Sequence, residues 1–143
     1  MAESVKVHHC GITVSNLERA VEWYSTAFGL KPGLILEVSG PSGEKVLRMP
    51  PHTHRAALLP VGNFAIELLE FIPKGKDFSG RQDDVGYVYL CFEVDDLDGV
   101  YQRMSQAGYD FHTPPMIGEE GQISGSKFCV MRDPDGKTIE FIE

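Results

Sequence analysis

The sequence predicts an α+β fold built from two tandem copies of one βαβββ module. Three observations point there. A segment of alternating residues at position 9 recurs at position 89, an amphipathic helical pattern follows each copy, and a later strand around Glu67 recurs around Glu140. The 143 residues, 42% of them hydrophobic, suffice for one domain-sized core and exclude intrinsic disorder.

The first strand reads His9-Cys10-Gly11-Ile12-Thr13-Val14-Ser15-Asn16-Leu17, and its repeat reads Tyr89-Leu90-Cys91-Phe92-Glu93-Val94-Asp95-Asp96-Leu97. In each, alternation gives way to a residue suited to an N-cap, Asn16 or Asp96, whose side chain can accept from the free N–H groups of a first helical turn. Leu17, Ala20, Val21, Tyr24 and Phe28 then recur at helical spacing, as do Leu97, Val100, Tyr101, Met104 and Ala107. Gly29 and Gly108 stand where a helix closes in a left-handed conformation.

The later strands are Phe64 to Glu70 and Lys137 to Glu143, entered through Asn63 and the Asp133-Pro134-Asp135-Gly136 turn. This organisation places module one at 5–72, a polar Gly-rich linker at 73–85 and module two at 86–143. Ser39 to Glu44 and Pro114 to Ser126 are polar and are expected to be mobile loops over a site. Pro50 and Pro51 should break an extra segment, Lys45 to Met49, from the third strand.

Composition narrows the function. Thirteen basic against 21 acidic side chains give a formal charge of −8, so nucleic acid and anionic membrane surfaces are excluded as partners. The longest apolar run, Tyr87 to Phe92, falls far short of the roughly 20 residues that a bilayer span needs. No signal-peptide pattern opens the sequence, so the cytoplasm is the expected location. Cys10, Cys91 and Cys129 match neither a disulfide framework nor a zinc knuckle and are read as reduced thiols.

Strand parity then exposes a candidate site. If Ile12 and Val14 face the helix, His9, Gly11 and Thr13 face away; the same parity turns Glu67, Tyr89, Cys91, Glu93 and Glu140 away from the helices. His9, Glu67, Tyr89 and Glu140 therefore occupy equivalent points of four strands on one surface. Carboxylates on an otherwise apolar face need a partner, because burying an isolated one is very costly. A divalent cation (Mn, Fe, Ni, Zn or Mg) bound by imidazole and carboxylates would meet that need, whereas a wet face would simply solvate them.

Other candidates carry simpler readings. His8 has helix-side parity and suits a packed or hydrogen-bonded role. His52 and His54 have metal-like spacing but should form an exposed pair in a Pro-bounded loop. His112 could approach the cavity from a strand end, and Cys91 is expected in its wall without a base to activate it. Arg48 and Arg55 could meet an anionic substrate or merely sit at the surface.

The motifs His9-Cys10-Gly11-Ile12-Thr13-Val14 with Asn16-Leu17, Gly62-Asn63 before Ile66-Glu67-Leu68-Leu69, and Arg132-Asp133-Pro134-Asp135-Gly136 with Ile139-Glu140 resemble the vicinal oxygen chelate superfamily. That superfamily includes glyoxalase I, methylmalonyl-CoA epimerase, extradiol dioxygenases and bleomycin-resistance proteins. The resemblance covers nearly the whole sequence. It implies a cupped, eight-stranded mixed sheet with helices outside, and commonly a homodimer.

Carried over by position, the resemblance makes His9, Glu67 and Glu140 metal ligands. The second histidine falls at Tyr89, a departure, since a phenol keeps its proton at neutral pH and is a poor ligand. A three-ligand site is implied, with Glu140 or Glu67 as general base and Tyr89 assisting as acid. The implied activity is glyoxalase- or epimerase-like: a small carbonyl or acyl-thioester substrate, chelated on the metal, loses a carbon-bound proton to give a stabilised enolate. Extradiol ring cleavage is the second enzyme reading, opposed by a single histidine on the face. A non-catalytic protein that binds a small molecule or confers resistance is the third.

Overall fold

The computed structural model describes residues 6–87, 89–119 and 125–143. The chain divides into two compact units, Met1–Asp77 and Phe78–Glu143. The first contains β1 (His9–Thr13), α1 (Leu17–Phe28), β2 (Ile35–Ser39), α2 (Pro41–Leu47), β3 (Thr53–Val61) and β4 (Phe64–Ile72). The second contains β5 (Tyr89–Glu93), α3 (Leu97–Gln106), β6 (Met116–Ile117), β7 (Lys127–Arg132) and β8 (Thr138–Ile142). Each unit holds a four-stranded mixed sheet, ordered β1-β4-β3-β2 and β5-β8-β7-β6. The expected α+β class and its two βαβββ repeats are what the chain forms.

Both repeat offsets reappear as strand register. β1 runs parallel to β4 with His9 opposite Ala65 and Gly11 opposite Glu67. β5 runs parallel to β8 with Tyr89 opposite Thr138 and Cys91 opposite Glu140. The alternation behaves as parity requires: Ile66 and Leu68 in β4, and Ile139 and Phe141 in β8, are buried. His9, Gly11 and Thr13 are exposed, as are Tyr89, Cys91 and Glu93.

The helices begin where the caps were expected. Asn16 Oδ1 accepts from the Arg19 N–H at 2.8 Å, and Asp96 Oδ1 accepts from the Gly99 N–H at 2.9 Å. The Glu143 carboxylate adds a second cap to α3, accepting from the Leu97 N–H at 2.7 Å. Gly29 closes α1 at φ 64°, a left-handed conformation that a Cβ would penalise. Leu17, Ala20 and Tyr24 bury one stripe of α1, and Leu97 and Met104 one stripe of α3.

Two local expectations are corrected. Ser39 to Glu44 is not a loop: Ser39 ends β2, and α2 starts at Pro41, whose fixed φ suits a first helical position where no N–H is needed. Lys45 to Met49 is set apart from the third strand as expected: Lys45 to Leu47 continue that helix, Arg48 ends it at φ 52°, and β3 starts at Thr53. Neither stretch carries apolar periodicity, so the short helix left no signal. His52 and His54 are not an exposed loop pair. His54 lies in β3, both are half-buried, and their rings stack at 5.4 Å beside Phe71. His52 Nδ1 donates to the Pro50 carbonyl (2.9 Å), and its Nε2 lies 3.2 Å from His54 Nδ1.

Within the expected loop from Pro114 to Ser126, Met116–Ile117 pairs with β7, while 120–124 lie outside the described residues. So do Val5, which opens the expected first module, and Val88, inside the longest apolar run.

The β7–β8 turn depends on one buried carboxylate. Asp133 Oδ1 accepts from the N–H groups of Asp135 (2.9 Å) and Lys137 (2.8 Å). Asp133→Ala leaves both donors without that partner and should lower stability by about 1–3 kcal/mol. A drop in the urea midpoint at constant slope is the expected reading, and an unchanged midpoint would show the turn to be self-sufficient.

Candidate functional site

Each unit supplies one half of the expected constellation. In the first, β1 and β4 bring His9 and Glu67 together: His9 Nε2 lies 3.3 Å from Glu67 Oε2. Gly11 stands opposite Glu67, and a Cβ there would meet Leu69 Cδ1 at 3.2 Å and Glu67 Oε2 at 3.9 Å. The missing side chain leaves the carboxylate room to reach toward His9. On its other ring nitrogen, His9 Nδ1 lies 2.7 Å from His8 Nδ1, and the two rings meet edge-on at 5.0 Å. His8 is exposed and hydrogen-bonded. It also lines a cavity of about 610 Å³ with Lys6, Leu58, Asn63 and Phe64.

In the second unit Cys91 occupies the place of Gly11, directly opposite Glu140. Partial burial, and then the Glu140 carboxylate to which the thiol donates, push the Cys91 pKa up to about 12. Cys91 is thus a neutral donor to Glu140 rather than a nucleophile. Because a raised pKa keeps the thiol protonated until the pH approaches that value, Cys91 should alkylate slowly at pH 8. Glu140→Gln removes the second cause while leaving burial, so the Cys91 peptide should alkylate faster by mass spectrometry. Equal rates would mean that Glu140 does not hold this proton. Tyr89, at the equivalent of His9, is half exposed and stands opposite Thr138.

The pair in the first unit fits a divalent cation. Two donors each about 2.1 Å from one ion, at right angles, lie about 3.0 Å apart, close to the separation of Nε2 and Oε2. Among the described residues, neither unit gathers three His, Cys, Asp or Glu side chains around one such point.

Several other candidates are engaged elsewhere. Arg55 pairs with Glu18 and with Glu70, its cross-strand neighbour, at 3.3 Å for the latter. Its hydrogen bond holds the Glu18 carboxyl below the usual carboxylate range. His112 Nε2 accepts from Arg132 Nε at 3.0 Å. Sequence reasoning missed the His8–His9 contact and the Cys91–Glu140 pair. The second was detectable, since aligning the two repeats sets a glycine against a cysteine opposite the repeated glutamate.

A family model described as the Glyoxalase/Bleomycin resistance protein/Dioxygenase superfamily matches residues 6–141. The chain belongs to this superfamily. Within it, a 2-epi-5-epi-valiolone epimerase from Actinomyces sp is 28% identical, over 97% of this chain and 79% of its own length. An ethylmalonyl-CoA/methylmalonyl-CoA epimerase from Cereibacter sphaeroides is 27% identical, over 82% of this chain and 83% of its own. The glyoxalase-superfamily fold is shared with a glyoxalase family protein from Bacillus cereus, which has a TM-score of 0.79 and 20% identity. That match covers 99% of this chain and 95% of the other. A glyoxalase family protein from Enterococcus faecalis matches at a TM-score of 0.71 with 20% identity, over 96% of this chain and 97% of its own.

Proposed function

We propose that this superfamily member is a metal-dependent enzyme of the epimerase type. It would remove and return a proton on the carbon beside a carbonyl or acyl-thioester of a small molecule. The observation that carries the reading is the approach of His9 Nε2 to Glu67 Oε2 in the first unit. The names of the two relatives, both epimerases, support the reaction class. His9 and Glu67, with Glu140 from the second unit, would hold the cation, which could be Fe, Mn, Ni, Zn or Mg. When bound, such a cation supplies Lewis acidity that makes a neighbouring C–H easier to ionise.

The remaining chemistry belongs to side chains. Glu140 is the base in this reading, and Cys91, donating to it, orients the carboxylate. A thiol bond to a carboxylate leaves its second oxygen available to accept a proton. Tyr89, half exposed on β5, has a hydroxyl suited to donating to a developing oxyanion. The reading extends to a homodimer, which light scattering would register as twice the chain mass.

The test follows carbon-bound hydrogen. Protein purified without chelator and supplied with each metal in turn is incubated in D2O with methylmalonyl-CoA and, separately, with a 2-hydroxyketone. Deuterium entering the carbon beside the carbonyl, lost in Glu140→Gln, is the expected result. Metal binding without exchange on either substrate class would overturn the epimerase reading. It would leave a binding protein or oxygen chemistry, which oxygen uptake with catechol separates.

A further inference from the structure

We infer that the first unit carries a second subsite, at the His52–His54–Phe71 cluster, that takes the distal half of a coenzyme A thioester whose acyl group lies at Glu67. The inference rests on the proposed function, which sets the substrate carbonyl beside His9 and Glu67. Cross-strand register makes one continuous strip of this face. Leu58 stands opposite Glu67, Ala56 opposite Leu69, and His54 opposite Phe71. Directly opposed residues share a face, so His54 and Phe71, with His52 stacked beside them, lie on the side that bears Glu67. Four residues of strand separate Glu67 from Phe71, roughly 13 Å. Across the middle of the strip Ala56 sits between Leu69 and Leu36, a small side chain between two large ones. Leu36 and Val38, opposite Ala56 and His54 on edge strand β2, are 46% and 38% exposed. The strip is an apolar trough that ends at a cluster of rings.

A hydroxyketone at Glu67 is too short to reach those rings, whereas a pantetheine arm is not. From thioester carbon to first phosphorus the arm runs about fourteen bonds, about 17 Å when extended at roughly 1.25 Å per bond. Its dimethyl group therefore meets the rings, and its phosphates pass just beyond them. Cations stand at that end. Positions 45–54 hold Lys45, Arg48 and no carboxylate, in a chain of formal charge −8. Arg48 ends α2 two residues before Pro50, whose carbonyl accepts from His52. Helix α2 lies against the strip, since a Cβ on Gly43 would meet His54 Cε1 and Val38 Cγ1, each at 3.8 Å. Arg55 has the opposite parity and is held by Glu18 and Glu70, whereas among the described residues neither Lys45 nor Arg48 forms an ion pair. Two cations suit the diphosphate of coenzyme A better than the single phosphate of an arm carried on a protein.

Calorimetry on metal-free protein tests the subsite apart from the chemistry, with coenzyme A, 4′-phosphopantetheine and pantetheine as probes. Wild type should bind coenzyme A most tightly and pantetheine most weakly. Replacing both Lys45 and Arg48 with Gln should weaken coenzyme A at least about tenfold and leave pantetheine unchanged. Arg81→Gln, which removes a charge paired with Asp83, should change neither. Ala56→Leu, which fills the trough, should weaken all three probes. Unchanged coenzyme A affinity in the Lys45/Arg48 variant, or no binding by wild type, would overturn the inference. So would 4′-phosphopantetheine binding as tightly as coenzyme A, which would leave the nucleotide half unrecognised. Binding as expected, but without deuterium exchange on methylmalonyl-CoA in the metal-loaded protein, would overturn the epimerase reading and support the subsite. Exchange with an unchanged KM in the Lys45/Arg48 variant would do the reverse.

Discussion

Substituting Glu67 or Glu140 with alanine is expected to weaken divalent-cation binding at least about a hundredfold, about 2.8 kcal/mol. On the proposed reading each substitution removes a negatively charged ligand that the residue opposite it cannot replace. Opposite Glu67 stands Gly11, which has no side chain. Opposite Glu140 stands Cys91, whose thiol stays protonated well above neutral pH. Glu70→Ala is the fitting control. It lies on the same strand as Glu67 but pairs with Arg55, so its loss should leave the metal content unchanged. Elemental analysis of the four proteins, purified without chelator and then loaded, gives the result. Wild-type metal content in both Glu67→Ala and Glu140→Ala would end the three-ligand reading. Loss in Glu67→Ala alone would confine the site to the first unit.

How much of this was legible in the sequence depended on whether the signal was periodic. The caps at Asn16 and Asp96 were readable because each pairs a short polar side chain with an immediate helical stripe. Strand parity identified the surface carrying His9 and Glu67 because a period of two cannot slip without burying the wrong residues. Helix α2 was not legible. It is seven residues with no buried face, held by local geometry at Pro41 and Arg48 rather than by a packed stripe. The stacked His52 and His54 were misplaced for a related reason: the two prolines before them announced a break, while β3 starts only two residues later, at Thr53.

The site itself was half legible. Parity named which side chains share a face, but not which of them bond. His8 was read from parity as a helix-side residue, yet it precedes β1 and turns its ring to meet His9. Cys91 was read as a wall residue. Register makes it the partner of Glu140, and the contrast with Gly11 explains why the two repeated glutamates have different neighbours. Equivalent backbone positions thus carry unequal chemistry, set by one residue on the adjacent strand.

Leu17→Ala and Leu97→Ala are expected to cost about 2–5 kcal/mol each, and each should weaken a different unit. Both leucines are the first residue of their helix, both are fully buried, and both follow a side-chain cap. Truncating either removes apolar contact just where the capped turn is anchored, so the lost transfer energy adds to the cavity left behind. Hydrogen exchange assigns the damage. Leu17→Ala should speed exchange in β1, β3 and β4, and Leu97→Ala in β5, β7 and β8. Losses under about 1 kcal/mol would mean that the helix starts collapse to fill the space. Equal deprotection of both sheets by either variant would mean that the two repeats unfold in one cooperative step rather than separately.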